Sequence, residues 1–61
     1  MQPITMTVAE AAAYLGVSTD TIYEMVQRRE IPHIRIRRRI FFRRDTLDRW
    51  LERMERESES P

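Results

Sequence analysis

In this chain of 61 residues the spacing of apolar residues changes from helical to alternating just after Pro32. Before it, apolar side chains recur at helical intervals: Val8, Ala11, Ala12 and Leu15, then Ile22, Met25 and Val26. After it, His33-Ile34-Arg35-Ile36-Arg37 alternates polar and apolar residues. The first spacing marks one face of a helix, the second a half-buried strand. Pro32 cannot continue a helix and biases Ile31 towards extended backbone, so the position of the switch is set. A chain with two short helices and then a small sheet has few folds open to it.

The ends of these elements are marked as well. Thr7-Val8-Ala9-Glu10 matches a capping box, in which hydroxyl and carboxylate satisfy orphan backbone N–H groups reciprocally. Gly16 stands where a left-handed residue ends a helix, so the first helix is predicted over 8–15. Ser18 is the N-cap candidate of a second helix, predicted over 19–29. Two short helices joined by a tight glycine turn make a helix-turn-helix, or else an ordinary helical hairpin in a small bundle.

Arg39-Ile40-Phe41-Phe42-Arg43 reads as the partner strand, with Ile40 and Phe42 facing the core. The reversal falls near Arg37-Arg38-Arg39, where no Gly or Asn is available for positive φ. Asp45 and Asp48 open a third helix to about residue 56, and Leu47, Trp50, Leu51 and Met54 form its apolar stripe. Residues 1–6 read as a lead-in and 57–61 as a flexible polar tail. The expected architecture is one domain over 7–56, mostly α with a small β-hairpin, in the order α-α-β-β-α. Its core is expected from Leu15, Ile22, Val26, Ile36, Ile40, Phe42, Leu47, Trp50 and Leu51. With those residues committed to the interior, no apolar patch of interface size is left, and the free domain is expected to be a monomer.

Size and composition narrow the function. A chain this short buries only about 60% of its unfolded surface. It has little room for a catalytic pocket of roughly 300 Å³ or more, so no enzyme is expected. It has no cysteine and one histidine, which rules out a thiolate site or a zinc cage; neither metal nor cofactor is expected. Its apolar runs are too short to span a membrane, and MQPITMTVAE lacks the order of a secretory signal. A cytoplasmic binding module is the class that remains.

All eleven basic residues are arginine. Eight of them lie between Arg28 and Arg44 with Glu30 the one acid, a local charge of +7 between segments of −3 on either side. Such a block is a polyanion footprint or a solvated face. Arginine without lysine suits bidentate contacts to phosphate and guanine. Three arginines at a hairpin tip serve stability poorly, and make sense if the tip touches phosphate.

Across residues 6–54 the chain resembles the excisionase-type DNA-binding domains, winged helix-turn-helix modules related to the mercury-resistance-regulator (MerR) superfamily. The residues that carry the likeness are MTVAEAAAYLGVSTDTIYEMV, then REIPHIRI, then RRIFFRRDTLDRWLE. The resemblance implies that the second helix enters the major groove while the hairpin wing reaches the adjacent minor groove or the backbone. It implies a sequence-specific double-stranded DNA-binding protein, either an accessory factor of phage or mobile-element recombination or a small transcriptional regulator. An integrase or recombinase, or RNA polymerase, would then be the protein partner, with a nucleoid-associated place of action. Arg37 stands where that family commonly has a glycine, a departure that predicts a wider or less ordered wing tip.

Helical geometry selects the contact residues. With Ile22, Met25 and Val26 inward, the second helix exposes Thr19, Asp20, Tyr23, Gln27 and Arg28, and its first turn adds Ser18 and Thr21. Thr19, Asp20, Tyr23 and Gln27 are candidates for base edges, and Gln27 suits bidentate pairing with adenine. Ser18 and Thr21 either cap the helix or bond phosphate; Tyr23 reads a base or lies along the backbone. Glu24 is expected to pair with Arg28 at i+4. In the wing, Arg35, Arg37, Arg38 and Arg39 are the phosphate or minor-groove candidates, with Arg43 at the far end on the backbone or a third-helix acid. His33 and Tyr14 are read as packing residues, Tyr14 against the turn. The competing function is a protein-interaction adaptor that uses the amphipathic third helix and the arginine-rich wing.

Overall fold

Thr7 ends one element and caps the next, and the fold is built outward from it. The computed structural model describes residues 5–59. Strand β1 (Thr5–Thr7) runs directly into helix α1 (Val8–Leu15). The Thr7 N–H donates to Glu10 Oε1 at 2.9 Å and the Glu10 N–H donates to Thr7 Oγ1 at 3.2 Å, so the capping box is closed. Thr7→Ala should cost about 1 kcal/mol through the lost cap. In a domain this small that lowers the thermal midpoint by roughly 4–8 °C, which circular dichroism would register.

Gly16 ends α1 at φ 74°, and both its N–H and that of Val17 donate to the Ala12 carbonyl, at 2.9 and 3.0 Å. Helix α2 (Thr19–Gln27) follows, with the Ser18 hydroxyl accepting from the Thr21 N–H at 3.2 Å. It stops two residues short of the predicted 29. Its end is a Schellman turn, in which the Arg29 N–H donates to the Val26 carbonyl at 3.0 Å and the Glu30 N–H to the Met25 carbonyl at 2.9 Å. Arg29 itself takes the left-handed conformation, φ 56°. Pro32 therefore does not stop the helix; the turn before it already has. The turn also delivers Ile31 into the core, only 3% exposed, a residue not expected there.

Strands β2 (Ile34–Ile36) and β3 (Arg39–Arg43) form the hairpin, and β1 pairs with the other edge of β3 to give an antiparallel sheet ordered β1-β3-β2. The segment read as a lead-in thus contributes a third strand at Thr5–Thr7; its residues 1–4 lie outside the described residues. Three residues are too few to show a period, and β1 is held by its register, Thr5 opposite Arg43, Met6 opposite Phe42 and Thr7 opposite Phe41. The tip is tight rather than wide. Ile36 pairs with Arg39 across a two-residue turn, and Arg37 adopts φ 56° itself, doing what glycine commonly does.

Residues paired across strands share a face. Met6, Ile40, Phe42 and Arg35 therefore lie on one side of the sheet, and Ile34, Ile36, Phe41 and Arg39 on the other. Phe42 is fully buried and Ile40 packs at the edge of the core, as expected. Ile36 was expected inside but is 53% exposed, and Ile34 is 37% exposed. The alternation of β2 is right and its phase is reversed. Phe42 must face the helices, and the pairing of Ile34 with Phe41 then sends both isoleucines of β2 outward.

Helix α3 (Arg44–Glu59) begins without a connector after β3 and continues into the predicted tail; Ser60 and Pro61 lie outside the described residues. Glu and Arg are good helix formers, so the polar run after Met54 extends the helix instead of fraying it. The Ser58 hydroxyl donates to the Glu55 carbonyl at 3.0 Å. This length outruns what α3 packs on, leaving Leu51 and Met54 exposed, against the expectation for Leu51.

The core comprises Val8, Ala11, Ala12, Ile22, Val26, Ile31, Phe42 and Leu47, edged by Met6, Leu15, Met25, Ile40 and Trp50. Two of the residues expected to be used up inside, Ile36 and Leu51, are on the surface, so the packing argument for a monomer loses its premise.

Candidate nucleic-acid interface

Ile22 and Val26 are buried and Met25 half-buried, which turns the opposite face of α2 to solvent. Thr19, Asp20, Thr21, Tyr23, Gln27 and Arg28 are all exposed there, Tyr23 at 54%. Ser18 and Thr21 are occupied with each other. Their hydroxyls lie 3.0 Å apart and Ser18 holds the Thr21 backbone, which favours the capping role. Glu24 and Arg28 form the expected i,i+4 ion pair, at 3.6 Å on an open surface where such a pair contributes little.

The wing lies alongside α2. A hollow of about 260 Å³ is lined by Tyr23 on one side and by Arg38, Arg39 and Ile40 on the other, with Thr7, Val8 and Ala9 closing its end. A larger one, about 520 Å³, sets Val26 and Gln27 against Arg35, with Arg29, Ile31, Pro32 and His33 between them. The tip of the wing therefore stands by Tyr23 and its stem by Gln27. Arg35 reaches this surface because it shares the inner face of the sheet with Ile40. The reversed phase of β2, which exposes Ile36, is what turns Arg35 towards the helix.

The arginines of the basic block divide by what they touch. Arg43 Nη2 lies 3.3 Å from Asp45 Oδ2, so this candidate is paired with a third-helix acid, one of the two roles open to it. Asp45 also lies 3.9 Å from Arg49. Arg44 sits 5.3 Å from the centre of the Tyr14 ring, whose hydroxyl donates to Asp48. Tyr14 first, and then the Asp48 carboxylate, raise the Arg44 pKa above its ordinary value. Tyr14 thus joins α1 to α3 rather than packing on the turn. Arg39 stacks on Phe41, 5.1 Å from the ring centre, on the outer face of the sheet. Arg29, Arg35, Arg37 and Arg38 have no carboxylate partner among the described residues. His33 packs as expected, half-buried with Nδ1 2.9 Å from the Ile31 carbonyl oxygen.

Sequence reasoning assigned no role to Arg29, which borders the hollow shared by Gln27 and Arg35. Its only signal was membership of the basic block. The bend that brings it there depends on a left-handed arginine, which no residue type announces.

Two helices about a glycine turn, the second with an open polar face, and an arginine-rich hairpin beside that face define a winged helix-turn-helix. A family profile described as a helix-turn-helix domain matches residues 5–55. The chain belongs to that family, and it is a DNA-binding helix-turn-helix protein. No curated protein and no solved structure matches it. No helix among the described residues is long and apolar enough to cross a membrane.

Proposed function

We propose that this chain is a sequence-specific duplex-DNA-binding protein of the excisionase type, related to MerR-like regulators, which reads bases with α2 and grips the backbone or minor groove with its wing. The observation that supports this reading is that Tyr23 borders one hollow with Arg38 and Gln27 borders another with Arg35. Thr19 and Asp20 extend the base-reading edge; Ser18, Thr21 and Arg28 support it, and Arg37 and Arg39 complete the wing. Arg43, tied to Asp45, stands at the margin.

Excision accessory factor and small transcriptional regulator both need this same contact, on nucleoid DNA, with an integrase or recombinase or with RNA polymerase nearby. A single module of this size buries about 600–1,000 Å² on DNA, so tight occupancy calls for repeated sites. The proposed state is a monomer when free, because the exposed apolar residues are divided between β2 (Ile34, Ile36) and α3 (Leu51, Met54). Those same residues are available for contacts between neighbours on DNA. The exposure of Leu51 and Met54 is also the one observation favouring an adaptor role for α3.

Substitutions separate helix from wing. Gln27→Ala should cost about 1–3 kcal/mol on the preferred site and relax base choice locally. Arg38→Ala should weaken binding to all sequences alike and take about one from the salt slope. Fluorescence anisotropy on two duplexes at several salt concentrations measures both. Unchanged affinity in both variants would reject these faces as the DNA surface and leave the adaptor reading.

A further inference from the structure

Among the described residues, two that are not glycine hold positive φ, and both are arginines: Arg29 and Arg37, each at 56°. For an L-residue with a Cβ this conformation costs free energy that glycine would not incur. Each arginine occupies the one position of its turn that needs a left-handed residue, the Schellman position after α2 and the first residue of the wing turn. Strain of this kind persists where something else holds it in place, and it gathers at functional sites.

Nothing among the described residues rewards these two side chains. Both are exposed, and neither guanidinium has an ion-pair or hydrogen-bond partner among the described residues. Arg28, Arg43 and Arg44, in the same block, each have one or stack on a ring. The strained arginines are therefore among the free ones. Their placement is also alike. Arg37 stands at the tip of the wing, and Arg29 at the foot of α2, where it borders the hollow of Gln27 and Arg35 on one side and that of Arg49, Trp50 and Arg53 on the other. One follows the end of α2 and the other lies in the turn between β2 and β3.

We infer that Arg29 is a further phosphate-contacting residue, acting with Arg37 as a pair of backbone clamps, one after α2 and one in the wing turn, and that fold stability is given up at both turns to place them. The inference rests on the DNA-binding reading above. A guanidinium fork suits the paired anionic oxygens of a phosphodiester.

The test uses Arg29→Gly, Arg37→Gly, the double variant and Arg29→Lys, in the full chain. Circular dichroism follows thermal unfolding, and anisotropy follows a fluorescein-labelled duplex of mixed sequence across a range of sodium chloride. Each glycine variant should unfold several degrees higher than the wild type yet bind the duplex more weakly. Each should lose about 0.9 from the log–log salt slope, and the double variant about 1.8. Arg29→Lys should keep both the slope and the wild-type midpoint. An unchanged slope in Arg29→Gly would overturn the phosphate contact. A lower midpoint in that variant would show that the arginine serves the fold and would overturn the trade of stability for binding. A wild-type chain that fails to bind the duplex even at low salt would overturn the DNA-binding surface itself, and this inference with it.

Discussion

Phe42→Ala is expected to remove most of the stability of the domain. Phe42 is fully buried, sits on the central strand of the sheet and lies opposite Met6, with α1 and α3 both packed on its strand. Truncating a buried phenylalanine costs about 3–5 kcal/mol, part of it for the cavity left behind. At about 0.05–0.15 kcal/mol per residue, a chain this short has roughly 3–9 kcal/mol in total, so one substitution removes most of it. A large drop in the thermal midpoint, with weakened amide dispersion in a proton–nitrogen spectrum, would record the outcome. Ile36→Ala, in the same hairpin, should stay within about 0.5 kcal/mol of the wild type, since that side chain is exposed. Equal effects from the two substitutions would contradict the assigned phase of β2.

The second large effect is on binding. Engagement of the four wing arginines Arg35, Arg37, Arg38 and Arg39 with four phosphates contributes about −3.6 to the log–log salt slope, before the contact inferred for Arg29 is added. Between about 50 and 200 mM monovalent salt, the wing alone should therefore lower duplex affinity roughly 150-fold. The formal net charge of the chain is only +1, so a response of that size cannot come from overall charge. It would come from the local block. An affinity nearly indifferent to salt would instead point to apolar docking through α3.

Much of this was legible in advance because its signals are local. The Thr7–Glu10 box, Gly16 and Ser18 each act within a few residues, so the bounds of α1 and the start of α2 could be read directly. The exposed face of α2 followed from Ile22, Met25 and Val26. The phase of β2 was not legible, because alternation shows that two faces differ without showing which one is inside; that depends on pairing with β3. The end of α2 was hidden because arginine stands where glycine or asparagine would have marked the turn. Which arginines are occupied was hidden too. Tyr14 meets Asp48 and Arg44 only once α1 and α3 are brought together, across a long stretch of sequence.

The junctions at Thr7–Val8 and Arg43–Arg44 have no linker: a strand becomes a helix from one residue to the next at both. Flexible wings must be ordered when they meet a partner, at a cost of about 0.5–1.5 kcal/mol for each long side chain immobilised, plus the loop itself. Here the wing passes into α3 without a linker, has only a two-residue turn at its tip, and is joined to α2 through residues 28–33, which the turn at Arg29 and the His33–Ile31 hydrogen bond hold in place. Its conformational entropy is surrendered during folding, before any encounter. What remains to be ordered on DNA is the arginine side chains alone, and the angle between wing and helix is a property of the free protein.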